Sequence, residues 1–179
     1  MNNNQNIINK SFLKKYFNQF KSLIDPTDIL LDDLTIFAQS LKKMHSRGNK
    51  AIIVGNGGSA AIASHFSVDL TKNASIRCIN FNEADLITCF ANDYGFDDWI
   101  KHAVRFYGDQ GDMFIAISSS GKSKDILNGC VSARERDFSK IVTFSGFDKY
   151  NPLKKFGDLN FWVDSKAYNF IENIHQFWL

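Results

Sequence analysis

Apolar residues recur at helical spacing from about Ile8 to Ile24, where Phe12, Tyr16, Phe20 and Leu23 form one stripe. A second helical pattern runs from near Thr27 to Met44. Pro26 and Asp28 mark its start, and Ile29, Leu30, Leu34, Phe37 and Leu41 make its apolar face. Beyond Ser46-Arg47-Gly48-Asn49 the period changes. Short continuous apolar runs at Ala51–Val54, Ile76–Asn80, Met113–Ile117, Ile141–Phe144 and Phe161–Val163 predict buried strands. Helical stretches lie between them, at Ser59–Thr71, Ala84–Phe90, Asp97–Phe106 and Ser123–Arg136, with a last one from about Ala167. Such alternation predicts an α/β fold of three α-β-α layers. Its centre is a mostly parallel five-stranded sheet, and two extra helices precede it. Ligands of such sheets bind beyond the carboxyl ends of the strands.

Two glycine- and serine-rich loops sit at that edge. Gly55-Asn56-Gly57-Gly58-Ser59 follows the first strand, and Ser118-Ser119-Ser120-Gly121-Lys122-Ser123 follows the third. A strand giving way to a helix leaves backbone N–H groups unpaired and aims the positive end of the helix dipole at one point. Serine hydroxyls add donors without bulk. Two such loops on neighbouring strands would converge on one anion, and a sugar phosphate fits them better than a nucleotide. Gly121-Lys122-Ser123 resembles the end of a Walker A loop, but Ala116 stands where that motif needs its first glycine. Gly55-Asn56-Gly57 matches part of a dinucleotide fingerprint with Ala60 in the third glycine's place. Glu83 would then be its acidic partner. The plain alternative is a pair of ordinary strand-to-helix turns.

At 179 residues the chain predicts one domain. A net charge of +2 without a basic stripe argues against nucleic acid. No apolar run approaches the roughly 20 residues that span a bilayer. The polar start, Met1-Asn2-Asn3-Asn4-Gln5-Asn6, lacks the features of a signal peptide, so a cytoplasmic location is expected. Cys78, Cys89 and Cys130 make no C-x-x-C pair and read as reduced, buried thiols. His65 and Asp69, four apart, share one face of the helix that starts at the first loop. In the last helix Ile171, Ile174 and Trp178 form the apolar stripe. Glu172, His175 and Gln176 fall opposite it, as a solvated face or as acid–base groups turned to a neighbour's site.

Gly55-Asn56-Gly57-Gly58-Ser59 with Ser64-His65-Phe66 and Asp69-Leu70-Thr71 closely resembles the sugar-isomerase (SIS) domain family. Phe90-Ala91-Asn92-Asp93-Tyr94-Gly95-Phe96, the loop from Ile117 to Ser123 and Glu172-Asn173-Ile174-His175 are similar to its phosphoheptose isomerase branch. The likeness runs from about Leu30 to the end and implies a flavodoxin-like SIS fold. Residues 1–28 would be an N-terminal helix for oligomer contact, and residues 29–179 the sugar-phosphate-binding domain. The branch interconverts sedoheptulose 7-phosphate with an aldose heptose 7-phosphate, for lipopolysaccharide or capsule precursors. The proton moves between C1 and C2 through an enediol. A homotetramer is expected from the residues themselves, because Phe12, Tyr16 and Phe20 on the N-terminal helices need a partner surface.

Carried over residue by residue, the resemblance implies substrate binding by Gly55, Asn56, Gly57, Gly58, Ser59, Asn92, Asp93, Ser118, Ser119, Ser120 and Ser123. Catalysis would fall to Asp69, Glu172, His65 and His175, with Glu172 entering from a neighbouring subunit. Some members bind zinc through the positions of His65, Asp69 and Glu172; no nucleotide cofactor is implied. This chain departs from the pattern in Asp69 for a glutamate, Glu172 for a glutamine and Asn73 for an arginine. The family's second catalytic histidine falls about one turn past His175, beyond Leu179. A sister isomerase for a modified sugar and a non-enzymatic SIS-fold regulator are the alternatives.

Overall fold

The computed structural model describes residues 9–179. Ile8, where the apolar pattern begins, and the polar segment before it lie outside the described residues. Two helices come first, α1 (Lys10–Ile24) and α2 (Asp28–Ser46). Asn9 caps the first by accepting from the Phe12 amide, and Thr27 caps the second by accepting from Leu30. The sheet and its helices follow as β1 (Ala51–Val54), α3 (Gly58–Lys72), β2 (Cys78–Ile79), α4 (Ala84–Tyr94), α5 (Trp99–Tyr107), β3 (Met113–Ile117), α6 (Lys124–Glu135), β4 (Lys140–Ser145), β5 (Leu159–Trp162) and α7 (Tyr168–Trp178). A 3₁₀ turn, Pro152–Lys155, that the sequence pattern did not announce sits between β4 and β5.

All five strands are parallel, in the order β2-β1-β3-β4-β5. β1 and β3 are neighbours, with Ala51 opposite Met113 and Val54 opposite Ala116. The chain leaves β1 towards β2 on one side and returns to β3 on the other. That makes the gap beyond β1 and β3 the topological switch point of the sheet. Alternate residues serve opposite faces. Ala51, Ile53, Met113, Ile115 and Ile117 pack under α2 and α3, with Phe37, Phe66 and Leu70. Ile52, Val54, Phe114 and Ala116 pack under α5 and α6, with Ile100, Val104 and Ile126.

Three local outcomes differ from the sequence pattern. β2 is shorter than Ile76–Asn80, because the Ile76 amide bonds back to Leu70 at the end of α3 and the Asn80 side chain is held by Ser67. α4 runs on through Asn92 and Asp93 and stops at Gly95. Cys78 and Cys130 are buried, but Cys89 is exposed on the surface of α4. At the N-terminus Phe12 is exposed, whereas Tyr16 and Phe20 pack on Phe170 of α7, with ring centroids 4.7 and 5.9 Å away. Among the described residues no helix is long and apolar enough to cross a membrane.

Candidate functional site

The β1 loop turns directly into α3. The Ser59 amide bonds to the Asn56 carbonyl at 3.0 Å, and the Ser59 side chain is buried beneath the turn. Gly58 opens the helix on the side where α7 crosses. The Glu172 carboxylate lies against it so closely that any Cβ would collide with both carboxylate oxygens. The resemblance brings Glu172 in from a neighbouring subunit; here it reaches the site from within its own chain, because α7 packs on α3.

The β3 loop is clamped from two sides. The Gly146 amide donates to the Ser119 carbonyl at 2.8 Å, and the Leu153 amide to the Gly121 carbonyl at 3.1 Å. Within the loop the Gly121 amide closes a turn on the Ser118 carbonyl at 2.8 Å. Gly121 has φ +65° and carries Asn151 on the side where a Cβ would stand, so both strain and space demand glycine. The Ser118 and Ser123 hydroxyls bond each other at 3.1 Å, and the Lys122 amide donates to Ser120 Oγ at 3.2 Å. Ser119 Oγ is buried and has no partner among the described residues.

The two loops and α7 enclose a cavity of about 120 Å³ lined by Asn56, Ser59, Ile117, Ser118, Ser119, Ser120, Ser123, Tyr168 and Glu172. None of these is a lysine or arginine. The groups there that attract an anion are the N-termini of α3 and α6 and the hydroxyl and amide dipoles, a set that suits one tetrahedral dianion. Burial raises the Glu172 carboxyl above its ordinary value. Behind the wall, Asp125 in the first turn of α6 is buried. Both its oxygens lie near Asn56 Nδ2, at 3.1 and 2.9 Å. Burial raises the Asp125 carboxyl, opposed by the hydrogen bonds from Asn56, from helix amides and from the Trp99 indole.

Gly55, Gly57 and Gly58 form the β1 turn beside the cavity. His65 and Asp69 do not line it. They form an exposed pair on α3, with His65 Nε2 3.0 Å from Asp69 Oδ2, and Asn73 donates to Asp69 Oδ1 at 3.1 Å. Gly58, His65 and Asp69 are spaced seven and four apart, so the pair continues along the stripe of α3 on which Glu172 docks. Asn92 and Asp93 bond each other at 2.9 Å on exposed α4, apart from the cavity.

His175 is not on the polar face of α7 and does not reach the cavity, contrary to the catalytic role expected of it. It shares the buried face with Ile171, one turn before it, and not the Glu172 face. It is 0 % exposed, with Nε2 3.1 Å from the Ser145 carbonyl at the end of β4. Burial drops its pKa to about 4, only partly offset by that bond, so it is a neutral donor inside the core.

The zinc set does not assemble within one chain. His65 and Asp69 supply two donors, but Glu172 stands at Gly58, about 10 Å back along the helix by its rise per residue. Zinc sites take three or four protein ligands. Among the described residues no group of three or more His, Cys, Asp or Glu is close enough to hold a metal ion. Such a site would need donors from a second subunit.

Sequence reasoning missed Tyr168 and Asp125. Tyr168 carries no local signal beyond opening a helix. Asp125 sits two residues after Ser123, where an acidic residue commonly favours a helix start, and its partner Asn56 is 69 positions away.

The sequence model of the SIS domain matches residues 15–145. The chain is 34% identical over 145 residues to a phosphoheptose isomerase of Fusobacterium nucleatum, covering 78% of this chain and 73% of that protein. It is 37% identical over 136 residues to that of Colwellia psychrerythraea, covering 72% and 69%. A solved phosphoheptose isomerase from Neisseria gonorrhoeae superposes with a TM-score of 0.84 at 25% identity, covering 94% of this chain and 93% of that one. One from Francisella tularensis superposes with a TM-score of 0.87 at 23% identity, over 96% and 94%, a likeness of fold.

Proposed function

The chain belongs to the SIS domain family, in its phosphoheptose isomerase branch, and we propose that it works as an aldose–ketose isomerase on sedoheptulose 7-phosphate. The product is a heptose 7-phosphate for surface polysaccharide precursors. The observation that carries this reading is the convergence of both loops on one hydroxyl-lined, cation-free cavity at the switch point, with Glu172 in its wall.

The 7-phosphate enters that cavity. It receives hydrogen bonds from Ser118, Ser119, Ser120 and Ser123 and from amides at the starts of α3 and α6. The unpartnered Ser119 hydroxyl gains its bond only when the anion is present. The rest of the sugar runs along the exposed stripe of α3. From Ser59 to His65 the helix rises about 9 Å, a length that an extended seven-carbon chain can match. Helical side chains lean towards the N-terminus, so Asp69 leans back over His65. The reacting end of the sugar therefore meets the Asp69 carboxylate.

Asp69 takes a proton from C1 of the ketose, the C1–C2 bond becomes the double bond of an enediol, and the C2 oxygen gains a proton. Return of the first proton to C2 and loss of the O1 proton give the aldose. His65 holds Asp69 through their 3.0 Å contact and fixes the face of its attack. Glu172, its carboxyl raised by burial, hydrogen-bonds sugar hydroxyls nearer the phosphate and fixes how deep the sugar sits.

The His65–Asp69 pair is about half exposed, and Val68 beside it is 58% exposed. A neighbouring subunit laid over this face would exclude water from the reacting end, and Phe12 and Phe17 on α1 offer further apolar surface. A homotetramer fits these faces. Asp69→Asn tests the chemistry: it should lower kcat by at least about 10²-fold, the scale of general-base catalysis, with KM nearly unchanged. Light scattering tests the assembly.

A further inference from the structure

Among the described residues two aspartates are buried. Asp112 faces the Lys50 ammonium at 2.6 Å, at the far end of the sheet. Asp125 faces no cation among the described residues; Asn56 Nδ2 lies within hydrogen-bond distance of both its oxygens, and the Trp99 indole lies on it as a further neutral donor. A carboxylate buried against neutral groups costs free energy unless its hydrogen bonds are good. This one joins the two phosphate loops, since Asn56 follows β1 and Asp125 opens the helix that follows β3.

The chemistry of the pair fixes its orientation. An ionised carboxylate only accepts hydrogen bonds, so the Asn56 atom within reach of both oxygens must be the amide nitrogen. Among the described residues nothing donates to Asn56 Oδ1, and Asn56 lines the cavity. The ligand therefore meets a carbonyl acceptor. An acceptor repels phosphate oxygens and attracts a hydroxyl hydrogen.

We propose that Asp125 is a positioning residue that holds the Asn56 carbonyl towards the cavity, so that the site selects a phosphate ester carrying a neighbouring hydroxyl over phosphate alone. This rests on the reading of the cavity as a sugar-phosphate site. Asp125 does not touch the ligand; it acts through Asn56. Released from Asp125, Asn56 is no longer held in one orientation, so the oriented acceptor for the hydroxyl is lost while the donors to phosphate stay.

The test uses calorimetry with two probes, inorganic phosphate and sedoheptulose 7-phosphate, on the full chain. Asp125→Leu, close in size and unable to accept, should weaken sugar-phosphate binding about tenfold, the scale of one oriented buried hydrogen bond. Inorganic phosphate should bind within about twofold of wild type, since its donors are untouched. Asn56→Asp sets two carboxylates face to face and should lose sugar-phosphate binding. Adding Asp125→Asn restores a donor–acceptor pair of the same net charge and should recover binding to within a few-fold. The paired exchange also answers the test if Asp125→Leu does not fold. Equal losses for both probes in Asp125→Leu, or no recovery in the paired exchange, overturn the proposal.

A ligand-free readout separates this from the functional reading. The side-chain amide signals of Asn56 in a ¹⁵N NMR spectrum, identified by their loss in Asn56→Ala, should shift and exchange faster in Asp125→Leu. Unchanged signals overturn the positioning role, whereas a wild-type chain that ignores sedoheptulose 7-phosphate overturns only the functional reading.

Discussion

Glu172 of α7 and Gly58 of α3 touch so closely that the carboxylate occupies the space of a Cβ. The contact sets the depth at which Glu172 enters the cavity. Gly58→Ala should improve local helix propensity yet push Glu172 aside. The expected result is an unchanged or higher melting temperature with kcat lowered about tenfold or more, the kind of loss that follows small misplacement of reacting groups. Full activity in Gly58→Ala would show that the position of Glu172 is immaterial.

Ser119 gives a prediction of opposite sign for stability and binding. Its hydroxyl is buried and unpartnered without ligand, so Ser119→Ala removes no native hydrogen bond and relieves a desolvated group. Thermal stability should hold or rise, and affinity for sugar phosphate should fall about tenfold. A drop in stability with binding intact would mean that the hydroxyl serves the fold.

Burial raises the Glu172 carboxyl, and a bound dianion favours its protonated form further. Sulfate, which stays doubly charged across the range, is the clean probe. Its binding should tighten as pH falls through the raised Glu172 pKa, and Glu172→Gln should flatten that dependence. Asp125 is common to both proteins, so the difference belongs to Glu172. Identical profiles would place the carboxylate out of reach of the anion.

His175 predicts a pH effect on stability alone. Its folded pKa of about 4 lies below the ordinary 6.5, so below pH 6.5 the unfolded chain binds a proton that the native chain refuses. Stability is fully present above 6.5 and falls as pH drops towards 4, by about 3 kcal/mol in all from the size of the shift. His175→Gln keeps a donor for the Ser145 carbonyl and removes the titration. Denaturant midpoints between pH 7 and 4 should then slope less, while kcat stays close to wild type.

The bounds of β1 and β3 were legible to the residue, because each is a fully apolar run closed at both ends by polar or glycine residues. The loops after them were legible as strand-to-helix turns for the same reason. The sheet order then made them neighbours. His175 was misread because an apolar stripe drawn through Ile171, Ile174 and Trp178 leaves the next position open. The deciding partner, the Ser145 carbonyl, lies 30 residues away. Asp125 escaped notice on the same grounds: its meaning depends on Asn56 across two strands. The family motifs pointed to His65 and Asp69, and the fold sets them beyond the cavity on the stripe of α3.

The central claim is proton transfer between C1 and C2 of a seven-carbon sugar phosphate by Asp69. Sedoheptulose 7-phosphate incubated with the protein in deuterated water and followed by NMR tests it most directly. The expected result is deuterium at C1 of the ketose and C2 of the aldose product, at a rate that Asp69→Asn lowers by at least about 10²-fold. Aldose formation without a deuterium dependence on Asp69, or no exchange at either carbon with substrate bound, would contradict the account.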